Sequence, residues 1–402
     1  MKIAFISSSS GDAFGLERVL SLSAGELGRL GHSVGFLVGR HQGERGTEPF
    51  LELPRLENTY LLTSPFQVRE RIGKALNWLQ SFRPDLLHFT DLFDARLIRA
   101  LSSQYPSVFT AHLVTPTCPA SSRHAQIEGG VCNKPSGWQC LLHNKSYHCL
   151  DGFKNDLHRI NVIANHVSRR SAFQKYMKRT LAISEYVKGC LVIDGWPASD
   201  IDIVYNPVCP KEGKKLSDIP RNLLVCSSRL VKLKGIDVLL RALGEMKEAE
   251  WTLWICGEGA ERGALEEQTG QLGLRQRVVF KGRLSYHDIQ DVYSSAALFI
   301  QPNTGPEGFG LSVAEAMFQG CPVIVSDVPA LNELIDAGTS GWVFHAGDHQ
   351  ALASMIGKVL SMSQVRSRVA REGQEKIRRN FSMRRHMEQT LLAYERAING
   401  AT

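Results

Sequence analysis

No stretch of this 402-residue chain approaches the ~18 consecutive apolar residues of a membrane-spanning helix. The apolar start, Met1 to Ile6, is followed at once by four serines and is too short for the core of a secretory signal. These absences predict a protein that stays in the cytoplasm, at most peripheral at the inner face of a membrane. Short repeats and low-complexity tracts are also missing. Cysteine is not scarce, with nine in the chain, but no Cys-x-x-Cys pair occurs. An odd number of cysteines without an export signal argues for free thiols or metal ligands rather than a disulfide framework. Acidic residues are absent between Leu157 and Thr180, where Arg159, Arg169, Arg170, Lys175, Lys178 and Arg179 stand among Leu157, Ile160, Ile163, Val167, Phe173 and Met177 at helical spacing. This segment, 157–180, reads either as a basic amphipathic helix on an anionic membrane surface or as a core-facing helix with a solvated basic side. The net charge of +7 suits an anionic partner, and its size alone does not choose among nucleic acid, phospholipid and phosphorylated substrates.

The length favours two domains, and apolar strands alternate with amphipathic helices throughout, as in parallel sheets covered by helices. Strands are expected at Ile3–Ile6, Val34–Val38, Leu86–Phe89, Val108–Ala111, Leu181–Ile183 and Ile203–Tyr205. A second set is expected at Leu223–Cys226, Trp251–Cys256, Val278–Phe280, Leu298–Gln301, Val323–Ser326 and Trp342–Phe344. The polar, proline-bearing stretch 207–220 reads as a linker between an N-terminal domain, 1–206, and a C-terminal domain, 221–380. The expected class is α/β, two Rossmann-like doubly wound domains facing a central cleft.

The densest chemistry lies between Glu307 and Glu315. With its flanking apolar runs, Ala297–Pro302 and Cys321–Ser326, this stretch reads as strand, glycine loop, helix, strand, so that the amides of Phe309, Gly310 and Leu311 open a helix whose N-terminal end favours an anion. Glu307 precedes that helix and Glu315 sits inside it, so one carboxylate can face a group just beyond a phosphate while the other reaches a sugar hydroxyl. The plain alternative is a helix cap, a solvated glutamate and a tight turn. Upstream, the strand Leu223–Cys226 leads into a turn holding Arg229 and Lys234. A guanidinium fork and a compact ammonium together neutralise a diphosphate without a metal, although two surface cations are unexceptional in a basic protein.

In this order the arginine–lysine turn, the Cys256–Gly259 turn, the Lys281–Arg283 turn and the glutamate pair resemble the C-terminal half of the retaining family-4 glycosyltransferases, glycosyl transferases group 1. The resemblance covers Leu223 to Asp348. It implies GT-B architecture, with Arg229 and Lys234 on the donor diphosphate, Glu315 on the nucleotide ribose, Glu307 beside the transferred sugar, and the Arg283 turn holding the base. It also implies a last helix, 381–402, that returns to the N-terminal domain through Leu391, Leu392 and Tyr394.

In the N-terminal half, Gly15 lies in the loop after the first strand. The family often has two glycines there and this chain has Phe14-Gly15, so its reading is divided between donor phosphate and a plain turn. His112 follows the strand Val108–Ala111 and matches a family histidine that contacts the transferred sugar. Asp91 and Asp94 are candidates for acceptor hydroxyls. Cys118, Cys132, Cys140 and Cys149 fall in one insert, 118–149, interspersed with His124, His143 and His148. A tetrahedral structural zinc would order such a loop, while an iron–sulfur cluster, two reversible disulfides or four unrelated thiols remain open. No cofactor is expected in catalysis.

The resulting expectation is a retaining glycosyltransferase that uses a nucleotide-diphosphate sugar, a UDP or GDP sugar, on a glycan or lipid-linked acceptor in cell-surface polysaccharide or glycoconjugate synthesis. No nucleic-acid partner is expected. A nucleotide-sugar epimerase or hydrolase of the same fold, and a noncatalytic nucleotide-sugar sensor or lipid-binding scaffold, are the competing readings.

Overall fold

The computed structural model describes residues 1–11, 15–42, 49–53, 65–90, 94–112, 114–120, 123–125, 130–150, 155–211, 213–217, 220, 222–246 and 248–400. They form two compact units, Met1–Asn206 with Met383–Thr402, and Pro207–Ser382.

The first unit runs β1 (Lys2–Gly11), α1 (Gly15–Arg29), β2 (Ser33–Gln42), β3 (Phe50–Glu52), α2 (Pro65–Phe82), β4 (Leu86–Phe89), α3 (Ala95–Ser102), β5 (Ser107–Ala111), β6 (His124–Ala125), β7 (Gly130–Val131), α4 (Cys140–Tyr147), α5 (Asp156–Tyr176), β8 (Arg179–Ala182), α6 (Glu185–Ile193) and β9 (Ile201–Ile203). The second unit continues β10 (Leu223–Ser227), α7 (Ile236–Gly244), β11 (Thr252–Cys256), α8 (Arg262–Gln271), β12 (Val278–Gly282), α9 (Tyr286–Ser295), β13 (Leu298–Gln301), α10 (Leu311–Phe318), β14 (Val323–Ser326), α11 (Leu331–Leu334), β15 (Trp342–Phe344), α12 (His349–Ser361) and α13 (Ser363–Asn380). The last helix, α14 (Met383–Asn399), belongs to the first unit.

Each unit is built on a parallel sheet. The first has the order β3-β2-β1-β4-β5-β8-β9 and the second β12-β11-β10-β13-β14-β15, while β6 and β7 make a separate antiparallel ribbon. Central strands such as β4, β5 and β13 are buried along their whole length, which is why they read as predominantly apolar runs rather than as alternating ones. Side-chain caps fix several helix starts. Asn155 accepts from the His158 N–H, Ser184 from Val187 and Asp348 from Ala351, each contact contributing about 1 kcal/mol.

Helix α14 presents Met387, Ala393, Tyr394 and Ala397 to the same core cluster as Ile3, Phe5, Val108 and Leu181. Their three-, four- and six-residue spacing makes one helical stripe. Leu392, expected to join that contact, is 47% exposed, because it lies off the stripe.

Three local features differ from the sequence reading. Strand β1 carries on through the serine run because its residues pair with β2 as far as Gly11 opposite Gln42. The strand expected at Ile203–Tyr205 is Ile201–Ile203, set by pairing with Thr180, Leu181 and Ala182. The stretch 207–220, read as a linker, is strapped to the second unit where it is described. Lys214 N–H donates to Asp291 Oδ1 (2.7 Å) and Leu216 N–H to Ser295 Oγ (2.8 Å), on α9.

Candidate functional site

Open parallel sheets bind ligands beyond the strand ends where the strand order reverses. In the second unit that point lies between β10 and β13, neighbours in the sheet whose onward chains lead to strands on opposite sides. The loop after β10 carries Arg229 and Lys234, and the loop after β13 carries Asn303 and Glu307.

These loops touch because glycines let them. Gly235 has φ +62°, and a Cβ there would stand 2.0 Å from the Pro302 carbonyl oxygen; at Gly257, φ +146°, one would stand 1.9 Å from that of Ser228. No side chain fits either position. Backbone bonds then stitch the three motif turns together. Ser228 N–H donates to the Cys256 carbonyl, Leu230 N–H to Glu258 and Gly257 N–H to Gly282.

The geometry places the Lys234 ammonium on Glu307 Oε2, in an ion pair whose side chains are 16% and 20% exposed. Asn303 Nδ2 donates to the same Glu307 oxygen at 3.1 Å and Gly308 N–H to the other at 3.2 Å, while Gln301 Nε2 holds Asn303 Oδ1 at 2.6 Å. Burial alone would push the Glu307 carboxyl up, but the Lys234 charge and these hydrogen bonds bring it below the ordinary glutamate value. Asn303 and Gln301 are each 1% exposed. Sequence reasoning missed both, since an amide at the end of an apolar strand carries no mark of its partner.

Helix α10 starts at Leu311 after Gly310, whose φ is +96°. Phe309 is buried and packs edge-on against Phe381 at 5.5 Å, so only its backbone is available to a ligand. Glu315 lies half-buried one turn into the helix, and its Oε2 is 3.5 Å from Gln290 Nε2. Arg229 and Arg283 are exposed at the loop ends.

The other candidates belong to the first unit. Gly15 opens α1 and is exposed. His112 follows β5 and is half-buried; burial, and then the charge of His386, push its pKa down to about 3. The ring is therefore neutral at ordinary pH and works as one donor and one acceptor. His386 comes from α14, with Nδ1 at 2.8 Å from the Tyr205 carbonyl and Nε2 at 3.0 Å from Ser23 Oγ. A carbonyl only accepts, so Nδ1 carries the proton and Nε2 accepts from the serine. His88, also buried, bridges Tyr394 and Thr110 at 2.6 Å each. Asp94 is a helix cap. Its oxygens take the Arg96 amide at 2.7 Å and both arms of the Arg96 guanidinium, which leaves little for an acceptor hydroxyl. Asp91 lies outside the described residues.

The cations of 157–180 turn mostly inward. Arg170 binds Ser136 and Asp194, Arg179 binds Asp202, and Arg169 binds the Asn165 carbonyl. Exposed apolar residues in and near this segment include Leu157 and Ile160 at the start of α5, and Trp138 and Leu142 just before and within α4. No helix among the described residues is long and apolar enough to cross a membrane.

Cys118, Cys132, Cys140 and Cys149 are free thiols that line one cavity of about 20 Å³. Among the described residues, no three His, Cys, Asp or Glu side chains are placed so that they could hold a metal ion. His143 lines the same cavity.

Comparison with known proteins agrees with this architecture. The model of the Glycosyltransferase Family 4 matches residues 15–212, and that of the Glycosyl transferases group 1 matches 211–376. The chain is 30% identical over 194 residues, 46% of its length and 54% of the relative's, to a lipopolysaccharide core biosynthesis mannosyltransferase of Rhizobium leguminosarum bv. viciae. It is 35% identical over 148 residues, 36% of its length and 39% of the relative's, to a phosphatidyl-myo-inositol mannosyltransferase of Mycobacterium leprae. The first of these matches spans about half of the relative's length. Among solved structures, HepE of Anabaena in complex with UDP and glucose superposes with a TM-score of 0.69 at 19% identity, covering 98% of this chain and 99% of that one. WaaG, a glycosyltransferase involved in lipopolysaccharide biosynthesis, gives 0.70 at 16%, with 99% and 100% covered. The chain belongs to the group 1 glycosyltransferases, family 4, and has the GT-B fold of two Rossmann-like domains.

Proposed function

We propose that this protein is a retaining glycosyltransferase that moves a sugar from a nucleotide-diphosphate donor, a UDP or GDP sugar, to a glycan or lipid-linked acceptor of the cell surface. The observation that carries the reading is the Lys234–Glu307 pair, held by Asn303 beside the N-terminus of α10 at the switch point of the second sheet. One of the three ammonium donors of Lys234 goes to Glu307, so the others, with Arg229 and the amides of Gly310 and Leu311, suit a diphosphate.

In the reaction the bond from the anomeric carbon to the diphosphate oxygen breaks, and the acceptor hydroxyl oxygen bonds to that carbon on the same face. The hydroxyl proton passes to the departing phosphate oxygen. Negative charge grows on the leaving group, where fixed cations and amides stabilise it, while the Glu307 carboxylate orients the sugar and offsets positive charge at the ring. Glu315 binds the ribose, the Arg283 turn the base, and neutral His112 a sugar hydroxyl or the backbone near the anomeric carbon. Gly15 lets the donor approach the first loop. No cofactor takes part.

Two relatives named as mannosyltransferases of lipopolysaccharide core and phosphatidyl-myo-inositol, and HepE bound to UDP and glucose, support the donor and acceptor classes. A lipid-linked acceptor calls for a membrane-facing surface. We place it at the start of the 157–180 segment, where Leu157 and Ile160 are exposed on α5, the helix against which α4 packs, and where Trp138, Leu142, Lys134 and Lys145 in and just before α4 are exposed too.

Donor turnover measured with and without acceptor tests the reading. Glu307→Gln and Lys234→Ala should each lower transfer by roughly 10²-fold or more. Full transfer by both variants would sink the assigned roles, an isomerised or merely hydrolysed donor would favour the epimerase or hydrolase, and binding without turnover would favour a sensor.

A further inference from the structure

The Cys118–Cys149 insert brings four thiols around one cavity from four separate places in the chain. Cys118 follows the short 3-10 turn Thr115–Thr117, Cys132 follows β7, Cys140 opens α4, and Cys149 lies just beyond its end. All four line the same cavity, about 20 Å³, room for one small atom and little more. We propose that they form a structural tetrathiolate site for a soft divalent cation of the zinc type.

The framework around the cavity is fixed by one buried ion pair. The Arg123 guanidinium, 1% exposed, donates to Thr117 Oγ1 (2.8 Å), to the Cys132 carbonyl (2.8 Å) and to Asp194 Oδ1 (3.0 Å). Asp194 in turn accepts from the Ser136 amide (2.7 Å) and hydroxyl (2.5 Å). The backbone beside Cys118, Cys132 and Cys140 is thereby tied to the end of α6. Cys149 precedes Leu150, which is fully buried and whose N–H donates to Asn144 Oδ1 (2.6 Å).

Two sulfurs already receive backbone N–H groups. Arg123 N–H lies 3.4 Å from Cys118 Sγ and Gly137 N–H 3.4 Å from Cys140 Sγ, the outer contacts that stabilise charge on a ligating sulfur. The local charge is also of the right sign. Arg123 and Arg170 both pair with the single carboxylate of Asp194, and Lys134 lines the cavity as well, so positive charge is in excess beside the cavity and offsets a dianionic site. Apolar packing here is thin: the satellite core has only Cys140, Leu150 and Ile163 fully inside, so the insert lacks the hydrophobic material that would otherwise order it.

As placed, the sulfurs line the cavity without closing on a common point, so binding requires their side chains to rotate inward. Four S–H bonds break, four metal–sulfur bonds form and four protons leave to solvent; no redox change occurs. With four protein ligands no position stays open for substrate, which makes the site structural.

The test uses the full chain expressed with added zinc and purified without chelator. About one zinc per chain by elemental analysis, lost in Cys132→Ser and in Cys149→Ser but kept in Cys209→Ser, is the expected result. If the variants fold poorly, wild-type protein decides. Chelation should release the metal, speed reaction of these thiols with a disulfide reagent and expose the insert to protease, while UDP binding by the second unit persists. The proposal is overturned by metal-free protein whose thiols react at one rate with and without zinc, by two disulfides among the four cysteines, or by iron with visible absorption.

Discussion

At the scale of single residues, the site turns on how Glu307 is held. An ion pair alone fixes a distance but not an angle, and Asn303 supplies the second point of attachment. Removing a hydrogen bond to a charged group costs about 1.5–3 kcal/mol. Asn303→Ala should therefore lower kcat by roughly tenfold or more while UDP affinity changes little, since the side chain binds the glutamate and not the phosphates. Unchanged kcat by steady-state kinetics would refute a positioning role. The glutamates, the cations and the glycine loop were legible in the sequence because their spacing is set by backbone geometry. Asn303 and Gln301 were not, because an amide at a strand end looks the same whether it faces solvent or a carboxylate.

At the scale of elements, α5 shows what a pattern of charge leaves open. Six cations and no acids between Leu157 and Thr180 suggested a basic face, yet Arg170 on α5 and Arg179 on β8 find their carboxylates at Asp194 and Asp202, distant enough in sequence that no helical periodicity reveals them. The exposed apolar side chains here are Leu157 and Ile160 at the start of the helix, with Trp138 and Leu142 just before and within α4. Leu142→Glu and Leu157→Glu should each weaken co-sedimentation with anionic vesicles several-fold, given about 1.5–3 kcal/mol for burying a leucine, and leave turnover of a soluble acceptor intact. Equal sedimentation of variants and wild type would remove this surface from the proposal. The central strands, by contrast, were readable nearly to the residue, because strands buried on both faces carry a predominantly apolar run. The short β3 was not, having three half-buried residues and no such run.

At the scale of the whole molecule, acid should act on one unit first. His88, His112 and His166 have pKa values pushed down to about 3, and His386 to about 4, in each case chiefly by burial. All four belong to the first unit. In the unfolded chain they titrate near 6.5, so below that pH the unfolded state binds protons that the folded state refuses, and stability falls as pH drops from about 6.5 toward 4. The slope is at most about 1.4 kcal/mol per pH unit for each ring. Urea midpoints should be lower at pH 5 than at pH 7 for the first unit, and identical midpoints would contradict the buried neutral rings. The division into two parallel-sheet domains was legible from the alternation of strand and helix. The contact of His88 with Tyr394, 306 residues apart, was beyond any local pattern. That contact also sets an order of events during translation. The first unit begins at the N-terminus but cannot finish its interior until the ribosome has released α14, so the second unit, complete in one continuous segment, is free to fold while its predecessor still waits for its last piece.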